Sequence, residues 1–213
     1  MIGNLQFYRG TGTNPYDNLA VESYFLQHCP PETCIFYLWQ NQRTVVIGKN
    51  QNAWQECNVE LLEQENGFLA RRPSGGGAVF HDLGNLNFTF VAPSGDYNVS
   101  RQLEVICRAV KTFGLDAQKN GRNDITIDGK KFSGNAFQKS KGISCHHGTL
   151  LVHVDTEQMA RYLTASAKKL QAKGVSSVKS RVVNLQSLCP SITVDSLSDA
   201  LFHAFEETYG LTA

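Results

Sequence analysis

Apolar positions change period several times along this chain, and each change marks an element. Asn14-Pro15 is a capping residue followed by a first-turn proline. After it Leu19, Ala20, Tyr24 and Phe25 recur at helical spacing, predicting a helix to about Gln27. Residues 34–39 and 44–48 are compact apolar runs and read as two buried strands around an Asn41-Gln42 turn. Asn58 caps a short helix that stops at Gly67. Residues 68–72 and 86–91 are strand-like, with a glycine-rich loop between them. Leu103, Ile106, Cys107, Val110 and Phe113 form a helical stripe closed by Gly114. Residues 124–137 read as a hairpin, 147–154 as a long strand and 157–163 as a short helix. A polar, lysine-rich stretch at 164–179 precedes a last helix at 195–209, capped by Gly210. Strands adjoin as hairpins with helices between groups of them, which predicts an α+β sheet rather than a βαβ repeat.

Composition narrows the class. With 213 residues, 41% hydrophobic and 18% charged, the chain buries a majority of its surface without disulfides or a structural metal. Its 20 basic and 19 acidic residues give a net charge of +1, so neither nucleic acid nor a membrane surface is an expected partner. MIGNLQFYRG is no signal peptide, and no window approaches the length of a spanning helix. Cys29, Cys34, Cys57, Cys107, Cys145 and Cys189 are scattered without zinc-like spacing and read as free thiols of a reducing cytoplasm. No repeat or linker divides residues 1–213, which are expected to form one domain.

Three segments carry candidate chemistry. In Arg71-Arg72-Pro73-Ser74-Gly75-Gly76-Gly77-Ala78 three glycines let the backbone turn sharply, and successive N–H groups can cradle an anion beside Arg72. A bare triple glycine is equally well a flexible hairpin loop, and its spacing fits neither a Walker loop nor a dinucleotide fingerprint. In the second segment, Asp128-Gly129 is a two-residue hairpin turn. It pairs Ile127 with Lys130, Thr126 with Lys131, Ile125 with Phe132 and Asp124 with Ser133. One face then holds Ile125, Ile127 and Phe132 against a core, with Lys130 snorkelling beside the turn. The other holds Asp124, Thr126, Lys131 and Ser133, with Asp124 diagonal to Lys131. That polar face is either a solvated ion pair or a site. In the third segment, His146 and His147 project to opposite strand faces and cannot jointly chelate a metal. Cys145 beside them raises a Cys–His nucleophile, which adjacency in sequence supports poorly.

Taken in order, RRPSGGGAVFHDLGN, GRND, KFSGNAF, HHGTLL and KGVSSVKSRV resemble lipoate–protein ligase at family-like spacing, as do NPYDNLAVE and VVIGKNQNAWQECN. The resemblance spans essentially the whole chain. It implies a mixed, mainly antiparallel sheet flanked by helices, shared with biotin–protein ligases and octanoyltransferases. It also implies a reaction: lipoate and ATP with magnesium give lipoyl-AMP, and a lysine of an apo lipoyl domain takes the acyl group. The acceptors implied are 2-oxoacid dehydrogenase E2 subunits and the glycine cleavage H protein.

By resemblance Arg72, Ser74, Gly75, Gly76 and Gly77 line the acyl-adenylate site, with Lys131 contacting the acyl carbonyl and phosphate oxygens. Asn123 and Asp124 contact the nucleotide, and Asp124 helps hold Mg2+. Gly77, Ala78, Val79 and Phe80 border the adenine, His147 and Thr149 the acyl-adenylate pocket. Residues 168–181 match a loop that closes over the adenylate. Bacterial relatives usually continue into a C-terminal accessory domain, which is expected to be absent from residues 1–213 and supplied, if needed, separately. The competing readings are a transferase of the same fold working through a Cys145 thioester without ATP, and a non-catalytic module that binds lipoate or lipoyl domains. The phosphate-site residues speak against the second. A biotin ligase lacks support because its own glycine–arginine signature is missing.

Overall fold

The computed structural model describes residues 1–121, 123–164 and 182–213. Ten strands are described: β1 (Asn4–Arg9), β2 (Thr33–Trp39), β3 (Thr44–Ile47), β4 (Phe68–Arg71), β5 (Val79–His81), β6 (Asn85–Pro93), β7 (Gln118–Asn120), β8 (Asp124–Ile127), β9 (Lys130–Ser140) and β10 (Ile143–Leu151). The described helices are α1 (Pro15–His28), α2 (Ala53–Glu56), α3 (Val59–Gln64), α4 (Val99–Lys111), α5 (Thr156–Tyr162), α6 (Leu185–Leu188) and α7 (Val194–Tyr209). A seven-stranded sheet runs β1-β2-β6-β10-β9-β8-β7, antiparallel except for the β1–β2 pair. A second sheet runs β4-β3-β5. This is the expected α+β architecture.

Alternation along the strands sorts the large sheet into two faces. Cys34, Phe36 and Leu38 of β2 and Leu86, Phe88 and Phe90 of β6 point into the main core with Ile106 of α4 and Leu201 and Phe205 of α7. Ile35, Tyr37 and Trp39 point the other way, with Val91, Cys145 and Phe25 of α1. A third cluster, containing Val45, Ile47, Leu62, Phe80 and Tyr162, joins the small sheet to α3 and α5. The caps read from sequence are in place: Asn14 accepts from Tyr16 N, Asn58 from Leu61 N, and Gly210 closes α7 with φ 66°.

The structure corrects several expectations. β2 and β3 are not hairpin partners, because the Asn41-Gln42 turn carries the chain from the large sheet to the small one. β1, β5 and β7 were not anticipated. β1 and β7 are polar edge strands, and β5 is only three residues long, so none offers an apolar run. The long strand begins at Ile143, four residues earlier than the pattern predicts. In the β8–β9 hairpin Ile127–Lys130 and Thr126–Lys131 pair as expected, but the register then slips. Ile125 pairs with Ser133 and Asp124 with Gly134, leaving Phe132 as the extra residue of a bulge. The predicted loop at 168–181 lies outside the described residues.

His146 and His147 do face opposite ways. His146 sits within the aromatic core, between Gln102 and Asn135 and against Phe88, Phe90 and Phe137. Burial holds it neutral, with a pKa of about 3 against an ordinary 6.5. His81 is likewise buried and lowered to about 3, by burial first and then by the nearby Arg72 and His147.

The unfolded chain protonates both rings near 6.5 while the folded protein does not until about pH 3. Their neutral burial therefore contributes fully above pH 6.5 and is lost as pH falls toward 3. Chemical denaturation between pH 6.5 and 4.5 is expected to show stability falling with a slope that approaches two protons, ~2.7 kcal/mol per pH unit. His146→Gln is expected to reduce the slope toward one. Stability that is flat across that range contradicts the neutral burial of both rings.

Candidate active site

Register lays two rows across the second face of the large sheet. One runs Trp39–Asn87–Thr149–Gly134 and the other Tyr37–Thr89–His147–Ala136. Over them lies a cavity of about 520 Å3. Val46, Val79 and His81 of the small sheet, Leu19 of α1 and Gly76, Gly77 and Ala78 of the glycine loop form its other walls. Asn123, Asp124 and Lys131 close one end.

Lys131 owes its position to the bulge. The extra residue, Phe132, turns into the core, which puts Lys131 and Gly134 on the same face of β9. A Cβ at 134 would lie 2.8 Å from Lys131 Nζ and 3.0 Å from its Cε, so glycine there gives the lysine its seat. The ammonium pairs with Asp124 Oδ1 at 2.8 Å, both side chains partly exposed. Asn123 fixes the start of β8 by donating to Asn135 O at 2.7 Å, while its own carbonyl accepts from Asn135 N at 2.7 Å. Thr149 Oγ1 accepts from Gly134 N at 3.2 Å.

The glycine loop is held from behind. Arg72, 7% exposed, donates from Nη2 to Gly75 O and Gly77 O, from Nη1 to Val46 O and from Nε to Ser74 Oγ. Most of its donors are engaged by the protein's own oxygens. Arg72 is thus a clamp on the loop. Burial lowers its pKa to about 10, against the opposing effect of Glu22. Ser74 Oγ lies 2.6 Å from His147 Nε2, and His147 Nδ1 lies 2.8 Å from the carboxylate of Glu22, which also accepts from Thr89 Oγ1. Burial alone would raise the Glu22 pKa, but His147, Thr89 and Arg72 together hold it below the usual carboxylate value. Ser74, His147 and Glu22 have the connectivity of a serine triad, yet Ser74 is 1% exposed and pinned by Arg72, so it presents no nucleophile.

Gly48 completes this wall. A side chain there would collide with the carbonyl oxygen of Gly76, and Lys49 N donates to Ser74 O at 2.9 Å. Arg71 Nη1 binds the carbonyls of Gly48, Lys49 and Gln51, so neighbouring arginines clamp two adjoining loops.

Of the residues predicted for the site, Arg72, Gly76, Gly77, Ala78, Val79, Asn123, Asp124, Lys131, His147 and Thr149 line the cavity. Ser74 sits behind the loop, and Gly75 is not among the lining residues. Phe80 turns away into the small-sheet core against Tyr162. Trp39, Asn87, His81 and Glu22 escaped the sequence reading, although Glu22 ends the NPYDNLAVE motif. Cys145 is fully buried, and burial pushes its thiol well above the usual range, the opposite of an activated nucleophile. Magnesium fits the rim: Asp124 is a partly exposed carboxylate, the kind of oxygen ligand a hard cation takes when substrate phosphates complete its shell. The buried Glu22, Cys145 and His147 also cluster, but Glu22 and His147 are in direct hydrogen-bond contact, which leaves no gap between them for an ion.

Residues 14–206 match the family described as lipoyl protein ligase A/B catalytic domain. The chain is similar to a lipoate-protein ligase A of Psychrobacter cryohalolentis, 45% identical over 205 residues that cover 96% of this chain and 60% of the relative. It thus spans about 60% of that relative's length. Among solved structures it resembles LipL1 of P. falciparum in complex with lipoate, with a TM-score of 0.85 and 33% identity over 97% of this chain and 62% of the other. It also resembles a lipoate-protein ligase A bound with ATP, with a TM-score of 0.83 and 27% identity over 100% of this chain and 87% of the other. A family match over most of its length, on a fold that brings ten of the expected residues around one cavity, means that this chain belongs to the lipoyl protein ligase A/B catalytic-domain family.

Proposed function

We propose that residues 1–213 act as one catalytic domain that activates lipoate with Mg-ATP and passes the lipoyl group to a lysine of a lipoyl domain. The observation that carries this reading is a cavity with Leu19, Trp39, Val46 and Val79 among its walls and a Lys131–Asp124 pair at one end. Gly134 to Trp39 crosses three strand spacings, roughly 14 Å, which suits a medium-length acyl chain laid across the strands with its carboxyl end at Lys131. The proposed acceptors are E2 subunits of 2-oxoacid dehydrogenases and the glycine cleavage H protein, in a reducing cytoplasm. No described helix is long and apolar enough to cross a membrane.

In this reading a carboxylate oxygen attacks the α-phosphorus and pyrophosphate leaves; the acceptor amine then attacks the acyl carbonyl and AMP leaves. Two anions must meet in the first step, and the Lys131 ammonium sits where it can touch both and screen their repulsion. Asp124 holds that ammonium in place beforehand, and Asn123 braces the strand that carries Asp124. Bound magnesium would supply further charge neutralisation at the phosphates, held by Asp124. The clamped glycine loop offers a fixed wall, so the protein contributes positioning and electrostatics without a covalent intermediate. The thioester reading loses its nucleophile with the burial of Cys145.

Incubating an apo lipoyl domain with lipoate is expected to add one lipoyl group, by mass spectrometry, only when Mg-ATP or preformed lipoyl-AMP is supplied. Equal modification from an octanoyl carrier protein without nucleotide would overturn the ligase reading. Lys131→Ala is expected to lower adenylation ~100- to 1,000-fold, while Lys130→Ala, on an exposed residue beside the turn, changes it little. Equal losses in the two folded variants would remove the assigned role. Cys145→Ser is expected to retain substantial activity, and a trapped acyl-thioester at Cys145 would show the opposite.

A further inference from the structure

Of the two adjacent histidines, His147 belongs to the cavity wall and His146 does not. His146 is fully buried on the other face of the sheet, lines no part of the cavity, and takes no part in the chemistry described above. Its two ring nitrogens nevertheless link α4 to the end of the cavity where Asn123 and Asp124 stand. Nδ1 lies 3.1 Å from the side-chain amide of Gln102, and Nε2 lies 2.8 Å from Asn135 Oδ1. Gln102 and Asn135 are both buried, and Asn135 sits on β9 diagonally across from His146.

One backbone carbonyl fixes the direction of this chain. Asn123 O can only accept, and Asn135 Nδ2 donates to it at 3.0 Å. The oxygen of the Asn135 amide therefore faces His146, whose Nε2 must carry the proton. Burial holds the ring neutral, so Nδ1 is bare and accepts. Gln102 has the donor that Nδ1 needs. Its Nε2 has no hydrogen-bond partner among the described residues, and a half-turn of the amide brings that nitrogen to Nδ1. Hydrogen bonds then run one way, from Gln102 through His146 and Asn135 to the carbonyl of Asn123.

At Asn123 the strands β8 and β9 are tied three times. Asn135 N and Asn135 Nδ2 both donate to Asn123 O, at 2.7 and 3.0 Å, and Asn123 Nδ2 donates to Asn135 O at 2.7 Å. Asp124, the next residue, pairs with Lys131. Without the proton at His146 Nε2, Asn135 Oδ1 would lose its donor, and the amide would be free to turn its oxygen toward Asn123 O. Two acceptors face to face repel, and the strand end that carries Asn123 and Asp124 would shift. We propose that His146 is a positioning residue for the nucleotide: by holding Asn135 in one orientation from behind the sheet, it sets Asn123 and Asp124 for Mg-ATP without touching it. This rests on the lipoate-ligase reading and adds to it a residue that lies outside the cavity. The Trp39 end of the cavity does not depend on this chain of bonds, so the effect falls on the nucleotide and not on the acyl acid.

Calorimetric titration of the whole chain with Mg-ATP and, separately, with lipoate distinguishes positioning from general support of the fold. His146→Phe keeps an aromatic ring in the core and removes both ring nitrogens. It is expected to raise the dissociation constant for Mg-ATP about tenfold, the upper worth of one hydrogen bond, and to leave that for lipoate unchanged. His146→Gln, whose amide N–H reaches the place of Nε2, is expected to restore most of the Mg-ATP affinity. A long-range proton–nitrogen correlation spectrum of the unmodified protein, which needs no variant to fold, is expected to show His146 neutral with its proton on Nε2. A proton on Nδ1 alone overturns the proposal. So does a folded His146→Phe protein with unchanged Mg-ATP affinity, or with equal losses for the two ligands. Each of these would leave the ligase reading standing. An unmodified chain that binds neither ligand would sink that reading, and this inference with it.

Discussion

The buried chain Arg72–Ser74–His147–Glu22 is the constraint on which the rest of the site depends. It joins the end of β4 and the glycine loop to β10, to α1 and, through Thr89, to β6. Arg72 and Glu22 are both nearly inaccessible, and each would be costly to bury alone. They compensate one another through a serine and an imidazole rather than by contact. Removing either end would leave the other uncompensated, at a cost of about 3–5 kcal/mol. The two sheets meet along this chain, and the cavity is the space they leave.

Against that fixed wall the Lys131 charge sits on a different device. Lys131 occupies a half-exposed position on the hairpin, held by Asp124 and by a bulge that shifts strand parity once. Without the slip, Gly134 and Lys131 would fall on opposite faces, and the face lined by His147 and Thr149 would begin one residue later. The cations flanking the site therefore divide their labour. Among the described residues, Arg72 and Arg71 organise backbone, and Lys131 lines the end of the cavity beside Asp124.

Much of this was legible in the sequence, where a residue's role follows from its local period. The caps at Asn14 and Asn58 and the Asp128-Gly129 turn come from residue type, and the opposed faces of His146 and His147 from a spacing of two; the Lys131–Asp124 contact is present too, but through a pairing of Asp124 with Gly134 rather than with Ser133. The bulge was not legible, because nothing in Lys131-Phe132-Ser133 breaks the alternation. Two consecutive residues, Phe132 and Ser133, both prove to be core positions. Glu22 looked like one more polar residue on a helix. Its burial depends on β6 and β10, more than sixty residues away in the chain. Trp39, His81 and Asn87 belong to three strands in two sheets, and only the register puts them side by side. Arg72 stands beside glycines in the sequence, which does not show that its guanidinium reaches the carbonyl oxygens of Val46, Gly75 and Gly77.

The close approach of Gly48 to Gly76 has a mechanical consequence. With no side chain between them, and with Lys49 N bound to Ser74 O, the two loops form one thin partition. Its inner side borders the cavity. Its outer side, with Lys49, Arg71 and Pro73, borders a shallow groove shared with Tyr16 and Ser23 of α1. Such a partition is only two strands of backbone thick, so the same residues face the cavity on one side and the groove on the other. The shape of the interior and the shape of the outer groove are then two readings of the same strip of backbone.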